Sequence, residues 1–205
     1  QRQMCIRDSY TLCHSENTQK FPNRWGPLSY LHPESDQTLR TENYICRLDE
    51  NLSMINSAHV DMLDLHKPIW EFVGLEDARL VQWDNQYYLI GVRRDTTTNG
   101  EGRMEYSHID IDKEKWTVKE TKRIRIPTPF GNQSYCEKNW VPVLDKPYHF
   151  VKWASPVEIV KADPNEEQCN QVMLKQGLIT PMDQRGGSQL VRWGNVYILS
   201  LIHIS

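Results

Sequence analysis

No window of the 205-residue chain approaches the roughly eighteen uninterrupted apolar residues that a bilayer span needs. The N-terminus lacks the basic, apolar and small-residue sections of a signal peptide, so the sequence as given reads as cytoplasmic, with no membrane partner. Neither sign of charge dominates: 24 basic and 27 acidic residues are mixed along the chain for a net charge of -3. No field is built that would gather nucleic acid. The five cysteines (Cys5, Cys13, Cys46, Cys136 and Cys169) form no CxxC pair and have no His-rich companion segment. That excludes a zinc site and a disulfide framework and leaves free thiols, with no metal expected. Cys136 adjoins a motif, but with no His nearby to activate it a small buried residue is expected there rather than a nucleophile. Sustained 3.6-residue apolar periodicity is missing as well, which removes helical architectures.

What the chain has instead is a recurring hairpin grammar of short β-branched and aromatic runs broken by Asp, Asn, Gly and Pro. The first unit reads Leu80-Val-Gln-Trp83, a turn at Asp84-Asn85, then Gln86 to Val92, followed by strands at Arg103–Ile111 and Thr117–Ile126. The grammar restarts at Asn139 with Trp-Val-Pro-Val-Leu, a turn near Asp145-Lys146-Pro147, Tyr148 to Trp153, Val157 to Ala162 and a weaker strand near Gln171 to Leu174. It restarts again at Ser188, with a turn at Gly194-Asn195. Upstream, Arg40 to Leu48 and Ala58 to Met62 read as outer strands of a preceding unit joined through Asp49-Glu50-Asn51. The fold class is all-β. The clusters ahead of successive units stand 61 positions apart (Asp77 to Lys138) and then 47 (Lys138 to Arg185), a spacing that suits the four-stranded antiparallel blades of a β-propeller. A closed ring of five such blades would need roughly 250 to 300 residues, so an incomplete five-bladed propeller with an unpaired seam is expected.

The two ends look foreign to this grammar. Residues 1–9 and 199–205 resemble translated sequencing-adapter read-through, so the partial propeller domain is expected over 10–198 and His203 carries no functional weight. The other reading of these ends is as genuine strands, for which Leu199 to Ile204 is apolar enough.

Each hairpin is preceded by a dense polar cluster: Glu76-Asp77-Ala78-Arg79, then Glu137-Lys138-Asn139, then Arg185-Gly186-Gly187-Ser188-Gln189. In a propeller the first strand of every blade faces the central channel, so the three clusters would converge on one axial pocket. The alternative is that they are capping turns of a sandwich.

These residues resemble glycoside hydrolase family 130. The resemblance rests on Phe72-Val-Gly-Leu-Glu-Asp-Ala-Arg-Leu80, the Lys138-Asn139 cluster one blade later and the Gly186-Gly187 cluster one blade after that, and it covers roughly Glu42 to Ile198. It implies a five-bladed propeller that phosphorolyses or hydrolyses β-mannosides, with Asp77 as general acid and basic residues of neighbouring blades holding phosphate. Ala78 stands where that family often has Pro, and the chain looks like a divergent branch.

Glycoside hydrolysis needs two carboxyl groups, whereas phosphorolysis needs one acid and cations that position inorganic phosphate as the nucleophile. Asp77 is the candidate acid, with inversion at the anomeric carbon, and Glu137 is the candidate base of a hydrolase or else a surface carboxylate. Arg79, Lys138 and Arg185 are the candidate cations. Asn139, Gly186, Gly187 and Gln189 complete the candidate substrate and phosphate set, and no cofactor beyond phosphate as co-substrate is implied. Glu76, one residue from Asp77 on a strand, should point to the opposite face and pair with Arg79 or a backbone amide. Arg103 is either a third-strand contributor to the pocket or an exposed strand residue. Trp140 is either a sugar platform or core. The partner is an oligosaccharide, and the oligomeric state is open. A rival reading is a non-catalytic glycan-binding propeller attached to a glycosyltransferase; an arabinan- or fructan-cleaving propeller ranks last, because cations stand where its acids would be.

Overall fold

The computed structural model describes residues 3–8, 12–14, 28–30, 39–63, 72–94, 102–127, 139–176, 184–186 and 188–203. The chain is all-β, with no helix among the described residues, and so none long and apolar enough to cross a membrane. In chain order the strands are β1 (Gln3–Asp8), β2 (Leu12–His14), β3 (Leu28–Tyr30), β4 (Leu39–Leu48), β5 (Met54–Asp61) and β6 (Phe72–Gly74). A meander follows: β7 (Glu76–Trp83), β8 (Gln86–Arg93), β9 (Arg103–Asp112) and β10 (Thr117–Arg125). A second comprises β11 (Val141–Pro142), β12 (His149–Ala154), β13 (Val157–Lys161) and β14 (Asn170–Lys175). Last come β15 (Gln184–Gly186), β16 (Val191–Trp193), β17 (Val196–Ile198) and β18 (Leu201–His203).

Turn chemistry explains where the strands break. Asp84 and Asn85 both have positive φ (47° and 64°), the conformation of a tight two-residue hairpin turn that Asp and Asn tolerate. Between β4 and β5, Asp49 Oδ1 accepts from the backbone N–H groups of Asn51 and Ser53 at 2.8 Å, an Asx cap on the turn. Gly194 turns β16 into β17 at φ 61°.

Alternation within the first meander sends its two faces to different neighbours. Val81, Trp83, Tyr88, Ile90, Val92, Met104 and Tyr106 pack against Trp140, Tyr148, Phe150, Val160 and Ala162 of the second meander. Leu89, Ile109 and Val118, from the opposite face, pack with Leu75 and with Ile45 and Val60 of β4 and β5. The second meander repeats the pattern: Val141, Val143 and Val151, on the face away from the first, pack with Leu190. The first meander thus carries the second meander on one face and β4–β5 on the other, with the short β16–β17 hairpin beyond the second meander.

The β4–β5 hairpin departs from the sequence reading of a separate preceding unit. Val60 and Lys119's neighbour Val118 pair across a parallel contact between β5 and β10, which merges the hairpin with the first meander into an eight-stranded sheet ordered β1-β4-β5-β10-β9-β8-β7, with β6 on β4. The outer edge of β10 would otherwise present unpaired N–H and C=O groups. The merged sheet curls until β1 and β7, at its two ends, approach each other. Both end segments set aside on sequence grounds are paired as strands, β1 to β4 and β18 to β15. Backbone pairing is open to any extended apolar segment, so it does not speak to their origin.

Candidate active site

Three first strands meet. Trp83 Nε1 at the end of β7 donates to the Leu144 carbonyl just past β11, at 3.2 Å. Leu190, just before β16, forms a parallel bridge with Val143, its N–H donating to the Pro142 carbonyl at 3.1 Å and its carbonyl accepting from the Leu144 N–H at 3.3 Å. Gln189 Nε2 returns to β7, donating to the Leu80 carbonyl at 2.9 Å. The chain around β7, β11 and β16 therefore closes a triangle of hydrogen bonds, joining segments that carry or follow a polar cluster.

On β7 the cluster is built on a bulge. Glu76 pairs with Val92 and Arg79 with Ile90, so Asp77 and Ala78 together oppose the single residue Gly91. Asp77 takes φ 51°, a left-handed conformation uncommon for a non-Gly residue, and is exposed. Two glycines make room for this path. A Cβ on Gly91 would stand 2.5 Å from the Glu76 carbonyl oxygen, and Gly74, at φ 107°, passes so close to β4 that a Cβ would stand 2.2 Å from the Thr41 carbonyl oxygen.

The bulge begins after Glu76, so its two residues are Asp77 and Ala78. Glu76 Oε2 lies 3.7 Å from Arg94 Nε, so its ion-pair partner across the sheet is Arg94, which sequence reasoning did not consider. Arg79 feels Asp77: burial lowers its guanidinium from the ordinary value and the Asp77 charge acts in the opposite direction.

The same end of the meander is rich in charge. Arg93 pairs with Glu105 (3.2 Å) and Glu120 (3.7 Å), all three being almost fully buried. Arg125 reaches Glu105 at 3.0 Å, and Arg123 reaches Glu120 at 2.6 Å. Glu120 also accepts from the Leu63 N–H at 2.8 Å, tying β10 to the chain after β5. Burial alone would push the Glu120 carboxyl up, but the hydrogen bonds from Arg123, the nearby Ser107 hydroxyl and the charges of Arg93 and Arg123 outweigh it and hold the group below the usual carboxylate range. Arg103 stands opposite Arg93 at the start of β9, half-buried, with Nη1 donating to the Gly102 carbonyl at 3.0 Å. The missed residues left one trace in sequence: Arg93-Arg94 ends an apolar run, where a buried charge needs partners.

Of the remaining candidates, Glu137, Lys138 and Gly187 lie outside the described residues, and for Arg185 and Gly186 only the backbone of β15 is described. Arg185 sits on a separate short strand paired to β18, opposite Ile202, rather than on the strand that follows. Asn139 is half-buried at φ 63°. Trp140 takes the core alternative: it is 1% exposed, packed on Phe150 (5.8 Å between ring centroids) with Lys152 Nζ over its face. The half-buried Gln189 spends its amide on Leu80 as described.

A separate cavity of about 550 Å³ lies between the second meander and the β16–β17 hairpin, lined mainly by Val143, Val151, Ile159, Met173, Leu190 and Leu199, and none of the described motif residues borders it. Among the described residues no group of three or more His, Cys, Asp or Glu side chains is arranged to hold a metal ion, and Cys46 and Cys169 are buried free thiols. No family model, no curated protein and no solved structure matches the chain.

Proposed function

We propose that the chain is part of a carbohydrate-active β-propeller, a glycoside phosphorylase or hydrolase acting on β-mannosides or related oligosaccharides with Asp77 as general acid. The observation that carries this reading is the conformation of Asp77: an exposed carboxylate in a left-handed conformation on a bulge opposite Gly91. Strained backbone of this kind costs on the order of 1–3 kcal/mol and persists where surroundings over-determine it, commonly at functional sites. The propeller part of the proposal is supported by the layered stacking of successive meanders and by the hydrogen-bonded triangle of their first strands.

An acid beside cations suits phosphorolysis. Arg79 couples to Asp77, and Arg94 and Arg103 stand at the same end of the meander; inorganic phosphate would be the nucleophile, and Lys138 and Arg185 are its further proposed contacts. The test is incubation of the protein with a manno-oligosaccharide, with and without phosphate. Release of an inverted sugar 1-phosphate only when phosphate is present supports phosphorolysis, and Asp77→Asn should then lower the rate by about two to four orders of magnitude. Free mannose released equally without phosphate supports a hydrolase with Glu137 as base. Sugar binding without turnover, unaffected by Asp77→Asn, supports a glycan-binding module instead.

A further inference from the structure

The path of the chain through Asp77 is set from outside its own motif. Asn43, on β4, is 1% exposed and donates Nδ2 to the Leu75 carbonyl at 3.2 Å. Leu75 lies between β6 and β7, outside the strand ladder, and its side chain is fully buried against Ile45 and Leu89. One residue earlier, Gly74 presses on the Thr41 carbonyl. Two residues later, the chain turns left-handed at Asp77 over Gly91. Residues 74–78 are thus gripped between β4 on one side and β8 on the other. Within that grip the Asn43 amide is a directed, buried side-chain contact to the backbone itself. A buried carbonyl that loses its donor is costly, so the segment would move to find another.

We propose that Asn43 is a positioning residue that holds the Gly74–Ala78 bulge and thereby aims the Asp77 carboxylate. Its catalytic consequence rests on the reading of Asp77 as general acid; its structural consequence does not. The backbone of the bulge follows Asn43 whether or not Asp77 transfers a proton.

Two variants test this on the full chain. Asn43→Ala removes the donor, and Asn43→Leu removes it while keeping volume beside Ile45, which guards against a variant that fails to fold. Amide hydrogen exchange at Leu75–Arg79 should accelerate by roughly 10-fold or more in both, the scale of one lost buried hydrogen bond, with the amides of β12 and β13 unchanged. Where the wild type turns over sugar in an Asp77-dependent way, both variants should lower kcat by about 10-fold or more with little change in KM and shift the basic limb of the pH–rate profile, which reports the acid. Unchanged exchange at Leu75–Arg79 in a folded variant overturns the proposal. So does a rate that falls with a pH profile of wild-type shape, since that marks a smaller folded fraction. If the wild type shows no Asp77-dependent turnover, the catalytic reading fails while the exchange result still decides the role of Asn43.

Discussion

Gln189 and Leu80 are 109 positions apart in sequence, yet the amide of the first donates to the carbonyl of the second at 2.9 Å. The bond joins the start of the β16 hairpin to the middle of β7 and closes the ring of contacts that Trp83–Leu144 and Val143–Leu190 begin. Gln189→Leu leaves the Leu80 carbonyl without this donor and should cost about 1 kcal/mol in urea unfolding. A variant as stable as the wild type would show that the third hairpin is not anchored here.

Glycine substitutions should rank by what a Cβ meets. At Gly91 it meets the Glu76 backbone oxygen at 2.5 Å, inside the bulge, where the neighbour cannot yield cheaply. Gly91→Ala should therefore destabilise by about 1–3 kcal/mol, as overpacking does. Gly194 has open space around the same position, and only its φ of 61° resists a side chain, so Gly194→Ala should cost about 1 kcal/mol. Thermal unfolding of both variants, compared with wild type, checks the order.

The Glu120 carboxyl sits below its ordinary value when folded, so its contribution is fully present above the unfolded pKa and is lost as pH falls through the folded one. The stability curve should bend downwards in acid, below about pH 4.5. Glu120→Gln should remove part of that bend and, by leaving the Arg93 and Arg123 charges underpaired, destabilise at neutral pH by about 3–5 kcal/mol. Chemical denaturation at a series of pH values reads both effects.

Two tyrosines between the meanders shift in the opposite sense to Glu120. Burial foremost pushes the Tyr106 phenol far up, and burial together with the Tyr88 and Asp84 hydrogen bonds does the same for Tyr148. A phenol whose pKa is raised on folding contributes stability below the unfolded value, near 10, and loses it as pH climbs beyond. Absorbance titration should show these two ionising only with alkaline unfolding. Tyr106→Phe, which loses the hydrogen bond to the Ala162 carbonyl, should lower stability by about 1–3 kcal/mol.

Much of the local structure was legible in the residues. The alternation from Leu80 to Ile126 and the Asp84-Asn85 turn placed four strands within a few positions of β7 to β10, because side-chain period and turn chemistry are properties of neighbouring residues. The Glu76-Asp77 pair stood out as a candidate too, by its polarity ahead of an apolar run. The bulge could not, since it depends on Gly91 from the next strand and on Thr41 and Asn43 from a strand more than thirty residues earlier.

An alternating pattern records which face of a strand is apolar but not what covers that face, so sequence alone determined the all-β class, the hairpins and the polar clusters that precede them. Only the tertiary structure decided that β5 pairs with β10, that Trp140 lies in the core and that Arg93 is buried between Glu105 and Glu120. Each of those outcomes turns on a partner distant in sequence, and its energy comes from packing and charge pairing across that distance.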